Sequence, residues 1–182
     1  MDATDLALTA KGEIYYTDTT KKSIGYIDAK GAKRVVYSGG EIDSPAALTL
    51  SPDQSLLEVA DRQTRFSWSF QIDKDGSLIN GEPFFRVDVP ETPGPVGATS
   101  VTVDSIGQVY FATGLGIQFC EQNGRCAGIL AKPEPGTITG IGFLGADRNW
   151  LYASTGTKLF RRPVKVKGVA PGSPVTPPRP PL

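Results

Sequence analysis

The 182-residue sequence contains no histidine. That excludes a Ser-His-Asp triad, a Cys-His nucleophile pair and any imidazole metal site. Catalysis would have to come from carboxylates, lysines or oxygen-bound metal ions. Net charge is also missing, since 19 Lys+Arg balance 19 Asp+Glu. No basic excess points to nucleic acid, and no charge block points to a membrane surface. No apolar run is long enough to span a bilayer. The first ten residues, MDATDLALTA, lack the basic and apolar regions of a signal peptide, and the cellular location stays open.

Cysteine is scarce. Its two copies, Cys120 and Cys126, stand close together in FCEQNGRC. A two-residue Asn123-Gly124 turn would pair residue 121 with 126 and point the thiols to opposite faces. A five-residue loop would set 120 against 126 and allow a bridge. Two cysteines without histidine are too few for a zinc site. Two free or buried thiols are the expectation.

What the chain does have is glycine (21), proline (15) and an ordinary apolar fraction of 39%, enough for a core. It also has an internal repeat. IYYTD (14–18), LEVAD (57–61), VYFAT (109–113) and LYAST (151–155) align, with Tyr15, Glu58, Tyr110 and Tyr152 in one column. A short apolar piece lies about ten residues upstream of each: LAL, LTL, VTV and IGF. A third strand follows each, and a fourth follows at least three. Four short strands per unit, repeated every 40–50 residues or so, is the pattern of β-propeller blades. A helical fold is excluded by the Val, Ile, Tyr and Phe content of the segments and by the absence of a 3.6-residue period. A β-sandwich also has many short strands, but it does not explain the repeat. The blades fall at about residues 1–43, 44–93, 94–134 and 135–169, followed by a proline-rich tail, 170–182.

Glu58 interrupts the tyrosine column. It reads as a solvent-facing strand position, where Tyr and Glu serve equally, rather than as a functional acid. The tail contains PxxP spacings at Pro174–Pro177 and Pro177–Pro180 that would suit an SH3-like domain. Such spacings arise easily in proline-rich sequence, so the expected tail is extended along the propeller rim or disordered.

Three segments carry a resemblance. TDLALTAKGEIYYTD (4–18), PAALTLSPDQSLLEVAD (45–61) and TSVTVDSIGQVYFAT (99–113) resemble the NDLVVDxxGxIYFTD, PNGLALSPDxxxLYVAD and DGMxVDxxGxLYVAT patterns of the SMP-30/gluconolactonase-like propellers. ITGIGFLGADRNWLYASTGTKLFRR is similar to that family's closing blade, so the likeness covers residues 1–169. It implies a six-bladed fold, of which this chain supplies about four blades from the C-terminal part.

The resemblance also implies lactone hydrolysis, and in some relatives organophosphate hydrolysis. The implied cofactor is a divalent ion, usually calcium, at the top of the central channel. In the family its ligands are a Glu near the N-terminus, two Asn and an Asp, hard oxygen donors suited to calcium. The ion polarises the carbonyl under attack.

Carried across residue by residue, the Glu falls before residue 1 of this chain. The first Asn corresponds to Thr4, next to a retained Asp5. The second Asn corresponds to Ala46, and its Gly to Ala47. The Asp corresponds to Thr99, and its Gly to Ser100. The repeat alone gives the same set: Thr4, Ala46, Thr99 and Thr139 precede the four innermost strands. Hydroxyls and a methyl group cannot balance a divalent charge. Asp5 is the one candidate channel acid left. Asp18, Asp43, Asp61 and Asp104, at strand ends, are read as turn caps.

Three functions compete. The first is a hydrolase scaffold without its ion or activity, expected to hold no cofactor. The second is a hydrolase with a rebuilt site. The third is a binding or assembly module. The expected partners are a small molecule or a second copy meeting an open flank, and neither nucleic acid nor membrane.

Overall fold

A computed structural model describes residues 3–91 and 96–177. All fifteen regular elements are strands, arranged as four antiparallel sheets of a β-propeller. Blade 1 is β1 (Asp5–Leu8), β2 (Ile14–Asp18), β3 (Ser23–Ile27) and β4 (Lys33–Ser38). Blade 2 is β5 (Pro45–Leu50), β6 (Leu56–Asp61), β7 (Phe66–Ile72) and β8 (Leu78–Arg86). Blade 3 is β9 (Ser100–Val103), β10 (Val109–Thr113), β11 (Gly116–Cys120) and β12 (Cys126–Ala131). Blade 4 has three strands: β13 (Ile138–Leu144), β14 (Trp150–Thr155) and β15 (Lys158–Pro163).

Each blade is a meander because its strands are joined by residues that accept tight turns. Gly12, Gly107 and Gly124 have φ near +80°, a conformation open to glycine, and each closes such a connection. Alternation then gives each sheet two apolar faces. The front of each blade packs on the back of the next. Tyr15, Ile24 and Tyr26 of blade 1 meet Leu57, Val59 and Phe70 of blade 2. Ala47, Ala60 and Phe85 of blade 2 meet Val101, Val109 and Phe111 of blade 3. Tyr110, Ala112 and Ile117 of blade 3 meet Phe143, Leu151 and Ala153 of blade 4. The innermost strands pack in the order β1, β5, β9, β13. No comparable packing joins β13 to β1 among the described residues.

Two expectations are corrected. Cys120 and Cys126 form a disulfide. The register shifts at Phe119/Cys120, so that Cys120 opposes Cys126 across a five-residue loop. Within the loop Glu121 N–H donates to Arg125 O (2.8 Å) and Gly124 N–H to Glu121 O (2.9 Å). The bulge absorbs the odd residue that would otherwise have turned the thiols apart. Glu58, in turn, does not face solvent. It is 3% exposed, between blades 2 and 3.

Residues 167–177, which include the described part of the tail, run across the floor of the channel, where the rim or disorder was expected for the tail. Gly168 N–H donates to Arg148 O (2.9 Å) and Gly172 N–H to Leu8 O (3.0 Å). Thr176 N–H donates to Pro52 O (2.8 Å), and Ser105 N–H to Lys167 O (2.7 Å). Residues 167–177 thereby touch all four blades, and the described tail itself bonds to blades 1 and 2 through Leu8 and Pro52. Pro174 and Pro177 lie in described structure; Pro180 lies outside it. No helix of the described residues is long and apolar enough to cross a membrane.

Candidate functional site at the channel mouth

The innermost strands enclose a central cavity of about 290 Å³. Asp5, Leu48, Ser100 and Ile141 line it toward the mouth, and Val169 and Pro171 cross it at the floor. The sequence-predicted residues all stand at or beside the starts of the innermost strands, because the repeat puts the same position of every blade there.

At two of the blades, polar side chains there reach the next blade. Thr4 Oγ1 lies 2.9 Å from Thr19 Oγ1, and the Thr19 hydroxyl donates to Pro45 O at 2.6 Å. This chain of hydroxyls joins blade 1 to blade 2. One residue on, the Asp5 carboxylate accepts Leu48 N–H at 3.0 Å across the same joint. Burial holds the Asp5 carboxyl above the usual carboxylate range, against the lowering effect of its backbone hydrogen bonds.

Blade 3 repeats the device. The Thr99 hydroxyl donates to Ile138 O at 2.6 Å, and the Ser100 hydroxyl accepts Ile141 N–H at 3.2 Å. Register makes Pro45 the counterpart of Ile138, and Leu48 that of Ile141, each pair flanking a bulge. The geometry is therefore one joint used twice. Blade 2 lacks it: Ala46 and Ala47 are 2% and 3% exposed and carry only methyl groups. Thr139, on blade 4, lies 3.0 Å from Ser154 Oγ within its own sheet.

Three of the remaining acids bind backbone, and the fourth, Asp43, forms an ion pair. Asp61 accepts N–H groups of Asp43, Ser44 and Gln63 at 2.8–3.1 Å. Asp104 accepts Ile106 and Gln108 N–H, each at 3.0 Å. Asp18 accepts Lys21 N–H at 3.0 Å and pairs with the Lys21 ammonium. Asp43 pairs with Lys22 at 3.2 Å. Among the described residues, no three His, Cys, Asp or Glu side chains stand together.

Sequence reasoning passed over two features. One is Glu58, whose carboxyl is pushed up to about 8 by burial, with only a lowering bond from the Ser69 hydroxyl at 3.2 Å. The signal was its place in a column of tyrosines. The counterparts Tyr15 and Tyr110 are buried under the next blade, where Tyr15 Oη–H donates to Gly76 O (2.9 Å) and Tyr110 Oη–H to Asp104 Oδ2 (3.0 Å). The other is the role of Ser100 and Thr19 as joints, which adjacency in sequence does not announce.

Solved structures share this architecture. A gluconolactonase from Xanthomonas campestris superposes with a TM-score of 0.74 at 21% identity, over 87% of this chain and 56% of that one. A calcium-binding regucalcin from Agrobacterium tumefaciens gives 0.74 at 20% identity, over 95% and 64%. A luciferin-regenerating enzyme gives 0.76 at 19%, over 94% and 64%. At these identities the likeness is one of fold, and the chain spans less than two-thirds of each structure. No curated relative matches along the sequence. The family described as SMP-30/Gluconolactonase/LRE-like region matches residues 3–157, and the chain belongs to that family.

Proposed function

We propose that this chain is a gluconolactonase-type propeller whose channel mouth serves to join blades, and that it binds without hydrolysing. The regucalcin likeness makes a divalent cation at the mouth the group to consider. The residues present do not fit it. A hard cation needs several oxygens, with carboxylates among them to offset its desolvation. Here one carboxylate, Asp5, is the only anion among the eight mouth residues 4–5, 46–47, 99–100 and 139–140. The observation that carries the reading is how poor this donor set is: one carboxylate, with one oxygen already accepting Leu48 N–H, beside neutral hydroxyls and the methyl groups of Ala46 and Ala47.

What remains is a cavity of about 290 Å³, floored by the tail, with a mixed polar and apolar wall. That space suits one small molecule. The reading is tested by thermal melting with added calcium and with chelator, alongside acid release from gluconolactone. A ligand held only by the native state must raise its stability. The expected result is an unchanged melting temperature and the spontaneous rate of lactone opening. A calcium-dependent rise, with catalysed hydrolysis lost in Asp5→Ala, would overturn the reading in favour of a rebuilt hydrolase site.

A further inference from the structure

Among the described residues, blade 1 has an apolar back with no blade against it. Register places Leu6, Tyr16, Gly25 and Val35 in one row across the sheet, and Leu8, Ile14 and Ile27 in the next row on the same face. Leu6 and Val35 are each 59% exposed. The repeat says what such a face is for. The counterparts of Leu6 are Leu48 and Val101, 3% and 6% exposed; those of Ile14 are Leu57 and Val109, 0% and 3%. In those blades the same positions lie in inter-blade cores, each covered by the front of the preceding blade.

Blade 4 shows the complement. Its front carries Leu144 (48% exposed), Leu159 (65% exposed) and half-buried Tyr152, with the Arg161 guanidinium stacked on Trp150 at 4.5 Å. Tyr152 is the counterpart of Tyr15 and Tyr110, which the next blade covers to 0% and 5% exposure. The described residues thus carry both halves of an inter-blade contact, and none of them covers either half.

We infer that the chain self-associates head to tail, the front of blade 4 in one copy packing on the back of blade 1 in another. The occupant follows from continuity: the contact extends the packing used between blades 1 and 2, 2 and 3, and 3 and 4. The surface is apolar at its centre, as a stable interface requires. It is heterologous, so the two halves lie on different patches and can be blocked separately. Leu6 and Leu144 also line the central cavity, so the contact adjoins the proposed binding space; its test reads mass, not ligand binding.

Light scattering of the 182-residue chain is expected to give the mass of two or more copies, falling to one on dilution. Leu6→Lys with Val35→Lys blocks the back of blade 1. Leu144→Lys with Leu159→Lys blocks the front of blade 4. All four sites are exposed, and circular dichroism checks that both variants fold. Each variant alone is expected to run as a single chain, and an equimolar mixture as a one-to-one dimer, because each supplies the half the other lacks. A wild-type chain that stays a single copy at every concentration overturns the inference. So does a variant that still associates with itself, or a mixture that does not pair.

Discussion

Between blades 1 and 2 the Asp5 carboxylate takes the Leu48 N–H, and between blades 3 and 4 the Ser100 hydroxyl takes the Ile141 N–H. Between blades 2 and 3 the matching side chain is the methyl of Ala47, buried against Val101 and its neighbours. The outer joints are held at the mouth by polar side chains. The central joint has apolar packing there instead, with main-chain bonds beside it, Ala98 N–H to Asp61 O (2.9 Å) and Gly97 N–H to Arg62 O (3.0 Å), and one buried polar side chain farther out, the Gln118 amide, which accepts Asp88 N–H (2.8 Å) and donates to Asp88 O (2.7 Å). Among the described residues, three buried side-chain polar atoms lack a protein partner: Glu58 Oε2, Arg62 Nε and Ser67 Oγ. All belong to blade 2. The difference teaches that blade packing does not depend on any one chemistry at the mouth. The same position of the repeat carries a polar joint in blades 1 and 3 and a methyl group in blade 2, while the strand beside it is kept.

The sharpest way to separate the central joint from its neighbours is pH. The Glu58 carboxyl sits at about 8 in the folded chain, against an ordinary value of 4.5. The native state therefore holds the proton more tightly than the unfolded chain. The associated stability is complete below the unfolded value and is lost as pH rises through the folded one, at roughly 1.4 kcal/mol per pH unit between them. Urea melts from pH about 4 to about 9 are expected to show this decline. Glu58→Gln is expected to flatten it and to be the more stable protein at the alkaline end. A wild-type profile with no such fall would show Glu58 to be solvated.

Next in size is Gly97→Ala. A Cβ there would lie on the carbonyl oxygens of Asp61 and Thr64, both backbone, where little can give. A loss of about 3 kcal/mol is expected from forced separation of blades 2 and 3. Near-native stability would mean that this joint is looser than its geometry. At the outer joints, Thr99→Val keeps the shape and removes the hydroxyl that Ile138 O accepts. Chemical denaturation should show a loss of about 1–2 kcal/mol. Thr19→Val should cost a similar amount at the blade 1–blade 2 joint, through Pro45 O. The smallest change belongs to Asp5→Asn, below about 1 kcal/mol, since an amide oxygen can still accept the Leu48 N–H and a desolvated carboxylate is removed. A large loss there would mean that the charge of Asp5 matters at the mouth.

Much of this was legible in the sequence. The tyrosine column, the SPD and SIG turns and the short apolar pieces set four blades, because period-two alternation and turn chemistry are local. The mouth positions followed from the same repeat. Glu58 was not legible, because a half-exposed and a fully buried strand position show the same alternation until the neighbouring sheet is in place. The Cys120–Cys126 bridge turned on a one-residue register shift, which no count along the chain supplies. The path of the tail was hidden for a related reason: proline marks a segment as extended and says nothing of what it lies against.

The stretch SPAALTLSPD shows the division. By itself it determined a strand, a turn and the lack of any donor at residues 46 and 47. Only the tertiary structure decided what its counterparts do. A threonine or aspartate at a channel mouth is equally able to hold an ion or a neighbouring backbone. Which main-chain groups reach them is set by the packing of the next blade, which brings Leu48 N–H to Asp5 and Ile138 O to Thr99.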